Sequence, residues 1–145
     1  MSMAEFEVDG LTALIQALEQ DGLYTDEVAG DILFEMADEM TDEVQTEMQK
    51  SPYDLSRISR KVGYTKKVKT NKDEVKYVTV SIKGTNERGE RNATVAFVLN
   101  YGRSEEYGAI QGSYFWTRAS EHMKKRVLDI AEKKAEQYYK SKGLI

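Results

Sequence analysis

Asn92-Ala93-Thr94-Val95-Ala96-Phe97-Val98-Leu99-Asn100-Tyr101 runs into Gly102-Arg103-Ser104-Glu105-Glu106-Tyr107-Gly108-Ala109-Ile110-Gln111-Gly112, then Ser113-Tyr114-Phe115-Trp116-Thr117-Arg118-Ala119. Val95, Phe97, Leu99 and Tyr101 alternate with Thr94, Ala96, Val98 and Asn100, so Asn92–Tyr101 reads as a strand with two apolar faces, central in a sheet. The glycine-rich Gly102–Gly112 reads as a charged loop, long for a hairpin. Ser113 is placed to cap a last helix from about 114 to 142. In that helix Trp116, Ala119, Met123, Val127, Ile130, Ala131 and Tyr138 share one face, Lys140 and Lys142 suit the negative end, and Gly143 is a natural stop.

Working outward, Glu74–Lys83 alternates with period two: Val78, Val80 and Ile82 face one way, and Tyr77, Thr79 and Ser81 the other. Residues 53–70 are basic, and Gly63 marks a turn or bulge between short extended pieces. Upstream, Ser51-Pro52 ends a helix expected over 26–50, with Thr25 as N-cap and Asp26 and Glu27 complementing its positive end. Its apolar positions Val28, Ile32, Met36, Met40, Val44 and Met48 are spaced by four, so the stripe winds about 200° around the axis. Either the helix bends or its two ends face different partners. The late residues Met40, Val44 and Met48 serve either as ordinary packing or as an adaptable contact surface. A short amphipathic helix over about 10–20 precedes it, with Leu11, Leu14, Ile15 and Leu18 on one face.

The expected architecture is therefore α+β: a small antiparallel β-sheet packed by a long N-terminal-half helix and a long C-terminal helix. At 145 residues the chain reads as a single domain. Residues 1–24 form an N-terminal helical extension and 25–143 the core.

Composition narrows function. The absence of cysteine removes disulfides, thiolate catalysis and cysteine-ligated zinc. No apolar run reaches the ~18 residues a membrane span needs, so no membrane partner is expected. His122, the single histidine, projects off the apolar stripe and reads as solvated or interfacial, and no sequence signature supplies a catalytic triad around it. Asp38, Glu39, Asp42 and Glu43 read as a solvated helix face and not as converging metal ligands. The loop Gly84–Gly89 lacks the lysine ending of a phosphate-binding loop. No catalytic residue, metal or cofactor is expected, and the chain is read as no enzyme. An enzyme would instead show a deep polar pocket around His122 or Asp54.

Charge is segregated. Residues 1–50 carry 14 acidic residues and one lysine, and residues 51–145 carry 11 acidic and 20 basic residues. An acidic helix and a basic sheet either face each other within one molecule or present complementary faces to other copies. Arg57, Arg60, Lys66, Lys67 and Lys69 form a candidate basic contact surface, which a DNA-binding accessory protein would use against a phosphate backbone.

Asn92–Ser104 and Ile110–Ala119 together resemble the minor tail or tail-completion proteins of long-tailed bacteriophages. In that family a strand ends in an aromatic or acidic residue and glycine, a variable loop follows, and an aromatic segment enters the last helix. Gly112-Ser113-Tyr114-Phe115-Trp116 stands where proline before phenylalanine is usual. Tyr53-Asp54-Leu55-Ser56-Arg57-Ile58 looks like the family's turn before its first strand, without its usual glycine. The resemblance covers about residues 26–143 and implies a virion protein at the head–tail junction, made in the host cytoplasm. It further implies a homo-oligomeric ring around the DNA channel, with connector, tail-terminator or tail-tube proteins as partners and possible non-specific contact with DNA. Arg103, Glu105, Glu106 and Tyr107 in the loop, with Met40, Val44 and Met48, are the candidate interface residues.

Overall fold

A computed structural model of the protein describes residues 11–144; the first ten residues of the expected N-terminal extension lie outside the described residues. Two long helices form the frame. Helix α2 (Asp26–Gln49) starts where Thr25 Oγ1 accepts from the Val28 amide at 3.3 Å, the expected cap. Helix α5 (Phe115–Ser141) runs antiparallel to it and ends before Gly143, whose φ of +71° suits a residue without Cβ. The short α1 (Leu11–Gln20) packs on the far end of α5.

The winding stripe of α2 resolves into two partners. Val28 and Ile32 pack with Leu18 and Leu23 beside α1 and with Ala131 and Ala135 of α5. Met40, Val44 and Met48 pack in a second cluster with Leu55, Val62, Val80 and the first half of α5. Met36, half-buried, touches both clusters. The ends face different neighbours because a stripe spaced by four must turn around the helix.

After a four-residue helix α3 (Ser56–Ser59), one irregular hairpin covers α2. Strand β1 (Val62–Tyr64) pairs antiparallel with β4 (Val80–Ile82), in register Val62↔Ile82. Strand β2 (Lys69–Thr70) pairs with β3 (Lys76–Tyr77), in register Lys69↔Tyr77. Four residues (65–68) thus oppose two (78–79), a wide bulge that splits the continuous strand expected over Glu74–Lys83. Val80 and Ile82 are buried, in line with the alternation.

The largest correction concerns Asn92–Tyr101, which is a helix (α4) and not a central strand. The β1–β4 pair stays two-stranded, and the backbone groups of this segment are satisfied within the helix. Its inward face is Asn92, Ala96 and Asn100, spaced by four. The Asn92 amide donates to the Lys83 carbonyl at 2.9 Å and thereby ties the helix start to the end of β4. A short run of mixed apolar residues carries both periods, and here tertiary hydrogen bonds select the helical one.

The loop that follows is a small hairpin. Strands β5 (Gly102–Arg103) and β6 (Ile110–Gln111) pair antiparallel around one 3₁₀ turn at Glu105–Tyr107. The architecture is α+β, with small two-stranded antiparallel pieces on a long helix pair. Among the described residues no helix is long and apolar enough to cross a membrane.

Candidate assembly surfaces

The sequence around α4 builds one pole of the molecule. Asn100 is fully buried, and its Oδ1 accepts from the backbone amides of Trp116, at 2.9 Å, and Thr117, at 3.4 Å. Its Nδ2 donates to Thr117 Oγ1 at 3.2 Å. A residue from another helix therefore caps α5, in place of Ser113, whose hydroxyl donates instead to the Leu99 carbonyl. The chain reverses sharply between the two helices. A Cβ on Gly102 would lie 2.5 Å from the Ile110 carbonyl oxygen, and one on Gly112 would lie 2.6 Å from that of Asn100. Both positions exclude any larger residue.

This construction leaves aromatic surface uncovered. Phe97 and Tyr101, one turn apart on α4, lie tilted against each other with centroids 4.7 Å apart and are 39% and 47% exposed. Tyr114, 48% exposed, lies in the connection to α5 with φ of +54°, a strained conformation for a residue with a Cβ. Val95 and Phe97 were expected on a face of a central strand, and Trp116 on the apolar face of the last helix. Trp116 is buried there, but Phe97 faces solvent because the segment is helical.

The loop residues Arg103, Glu105 and Glu106 are exposed. Arg103 Nε donates back to the Gly108 carbonyl at 2.7 Å. Tyr107 belongs to the same turn, but its side chain lies outside the described residues. Met40, Val44 and Met48 are corrected: at 1%, 0% and 2% exposure they belong to the core and offer no contact surface.

The basic segment forms a strip along α2. Gln45 Nε2 donates to the Ser59 carbonyl, Tyr64 donates to Asp38, Lys66 sits over the Phe34 ring, and Val68 lies against Gly30. Arg57, Arg60, Lys66, Lys67 and Lys69 are all exposed but spread along this run, with Arg57 paired to Glu87 at 3.6 Å. The β2–β3 hairpin lies at the start of α2, where Lys76 binds Asp26 and sits over the Tyr24 ring.

Between the poles, α2 and α5 are joined by a ladder absent from the sequence reading. Glu47 meets Arg118, Glu43 meets His122 and Arg126, Glu39 meets Arg126, Glu35 meets Lys134, and Asp31 meets Tyr138. The acidic helix thus faces a basic helix of the same molecule as well as the basic strand segment. Of the four residues expected on a solvated face, Asp38, Glu39 and Glu43 instead hold internal partners, and Asp42 is exposed. The signal was present: the carboxylates recur every four residues along α2, and their partners do so along α5 except at Ile130.

Glu47 is the most enclosed rung, with its side chain 3% exposed. Burial pushes its carboxyl up, but the Arg118 hydrogen bond, the Lys50 and Arg118 charges and the Lys50 hydrogen bond outweigh it and hold the group below its ordinary value. Glu43, Glu47 and His122 bring one potential ligand atom each within 4.8 Å of one another. Both carboxylates are already engaged, by Arg126 at 2.7 Å and Arg118 at 3.0 Å, so a cation would have to displace guanidinium groups.

An open depression of about 260 Å³ lies beside Asp54, lined also by Met48, Tyr53 and Ser59, and His122 is not part of it. The Asp54 carboxylate accepts from the Ser56 hydroxyl and amide, which hold it below the usual carboxylate range and commit it to starting α3.

No family model, curated protein or solved structure matches the chain.

Proposed function

We propose that the protein is a non-catalytic structural component of a long-tailed bacteriophage virion, acting at the head–tail junction in tail completion or head–tail joining as an oligomeric ring. The observation that carries this reading is the unit formed by Asn92–Ala119. Its two segments, which resemble the tail-completion family in sequence although the first is a helix where that family has a strand, are locked together by the Asn100 cap and the Gly102–Gly112 approach. That rigid unit presents Phe97, Tyr101 and Tyr114 to solvent beside Glu105 and Glu106. Exposed aromatics grouped on a rigid frame are the usual anchors of protein interfaces.

The test is reconstitution with the connector, tail-terminator and tail-tube proteins encoded by the same phage. Rings in negative stain, and a rise in scattering mass on adding those proteins, are expected. A mass unchanged by any of them at tens of micromolar overturns the proposal. The exposed strip with Lys66, Lys67 and Lys69 favours a second reading, a DNA-binding accessory protein. It takes over if the chain binds duplex DNA with a steep salt dependence that Lys66→Ala, Lys67→Ala and Lys69→Ala flatten.

A further inference from the structure

We infer that copies of this chain associate head to tail, the lysine-rich β2–β3 hairpin of one copy seating on the aromatic pole of the next. The inference rests on the assembly reading above and specifies the contact between copies.

The two surfaces lie at opposite ends of the helix pair. Helix α2 has 24 residues and so spans about 36 Å. The hairpin contacts its start, at Tyr24, Asp26, Gly30 and Phe34. The aromatic pole lies past its end, where the Tyr53 hydroxyl donates to the Gln111 carbonyl at 2.6 Å. Surfaces so separated cannot satisfy each other within one molecule.

Their chemistry is complementary. From Lys66 to Tyr77 the hairpin carries five lysines against Asp73 and Glu74. Lys67, Lys69 and Lys72 are exposed and hold no ion pair among the described residues. Beside them Val75 and Tyr77 are 55% and 39% exposed, an apolar patch flanked by cations. The other pole offers three exposed rings and the carboxylates of Glu105 and Glu106, which also hold no ion pair among the described residues. The hairpin already uses lysine against aromatic faces twice, Lys66 over Phe34 at 5.6 Å and Lys76 over Tyr24 at 5.3 Å.

Like poles repel. Two hairpins bring lysines together, and two aromatic poles bring glutamates together, so a symmetric pair is disfavoured. The contact is heterologous, the kind that closes into a ring when the rotation between copies allows.

Two variants of the full chain test this by sedimentation. The first, Lys69→Glu with Lys72→Glu and Val75→Ser, breaks the hairpin. The second, Tyr101→Lys with Glu106→Lys, breaks the aromatic pole; if circular dichroism shows it unfolded, Glu105→Lys with Glu106→Lys replaces it, since both side chains are exposed. Each variant alone is expected to self-associate at least tenfold more weakly than the wild type. Mixed in equal amounts, they retain one intact junction and are expected to form heterodimers and nothing larger. Variants that associate like the wild type, or a mixture that stays monomeric, overturn the inference. A wild type that remains monomeric alone yet joins connector or tail proteins overturns this contact and leaves the proposed function standing. Head-to-tail association without any binding to those proteins does the reverse.

Discussion

Asn100 shows how one side chain can hold two helices in register. Its carboxamide supplies the acceptor that the first amides of α5 lack, from a site with no access to water. Asn100→Ala leaves the Trp116 amide without that acceptor and is expected to cost about 2 kcal/mol, read as a lowered urea midpoint at unchanged slope. Arg118 offers a sharper test. Arg118→Ala strands the enclosed Glu47 carboxylate and is expected to cost about 2–3 kcal/mol at neutral pH. In the wild type the folded value of Glu47 lies below the ordinary 4.5, so its contribution is present above that pH and lost as pH falls through the folded value. Without Arg118 only Lys50 is left to oppose burial, so the folded value rises, and the gap between variant and wild type narrows below about pH 4.5. A gap constant from pH 7 to pH 4 would contradict this assignment.

At the scale of elements, the frame was legible and the connection was not. Helices α2 and α5 and their buried faces follow from apolar spacing, because a long period leaves many residues to define it. Ten residues at Asn92–Tyr101 defined none: Val95, Phe97 and Leu99 alternate, while Asn92, Ala96 and Asn100 recur at four. The deciding contacts, Asn92 to Lys83 and Asn100 to Trp116, join segments distant in sequence. The same blindness turned Met40, Val44 and Met48 into contact candidates, since a core stripe and an interface stripe look alike until the covering element is known. Met40→Ala is accordingly expected to destabilise the isolated monomer by about 2–5 kcal/mol in urea melts. Strand β1 and helix α5 are each tied to α2 by a phenol. Burial, joined by bonds to Asp38 and Asp31, pushes Tyr64 and Tyr138 up to about 12. Stability from these bonds is complete below pH 10 and lost as pH rises toward 12. Tyr64→Phe and Tyr138→Phe together are expected to flatten the alkaline limb of a pH–stability curve.

On the scale of the whole molecule, the charge asymmetry of the sequence divides its work. Four of the nine acidic residues of α2, Glu35, Glu39, Glu43 and Glu47, are paired inside the chain with cations of α5. Ion pairs this exposed are weakened by salt. Raising NaCl from 0.05 to 1 M is expected to lower the thermal midpoint of the wild type modestly. The shift is expected to shrink in an Arg126→Gln variant, which lacks the two pairs to Glu39 and Glu43.

The regularity of that ladder carries an ambiguity. Carboxylates recur at 31, 35, 39, 43 and 47 on one helix, and their partners at 118, 122, 126, 134 and 138 on the other. Slide one helix past the other by four residues, about 6 Å, and most rungs find a new mate of the right sign. Electrostatics alone would accept several settings, like a toothed rack that meshes at every tooth. The correct setting is chosen by shape: by Trp116, Met123 and Val127 against Met40, Val44 and Met48, and by the single carboxamide that fits only one helix start.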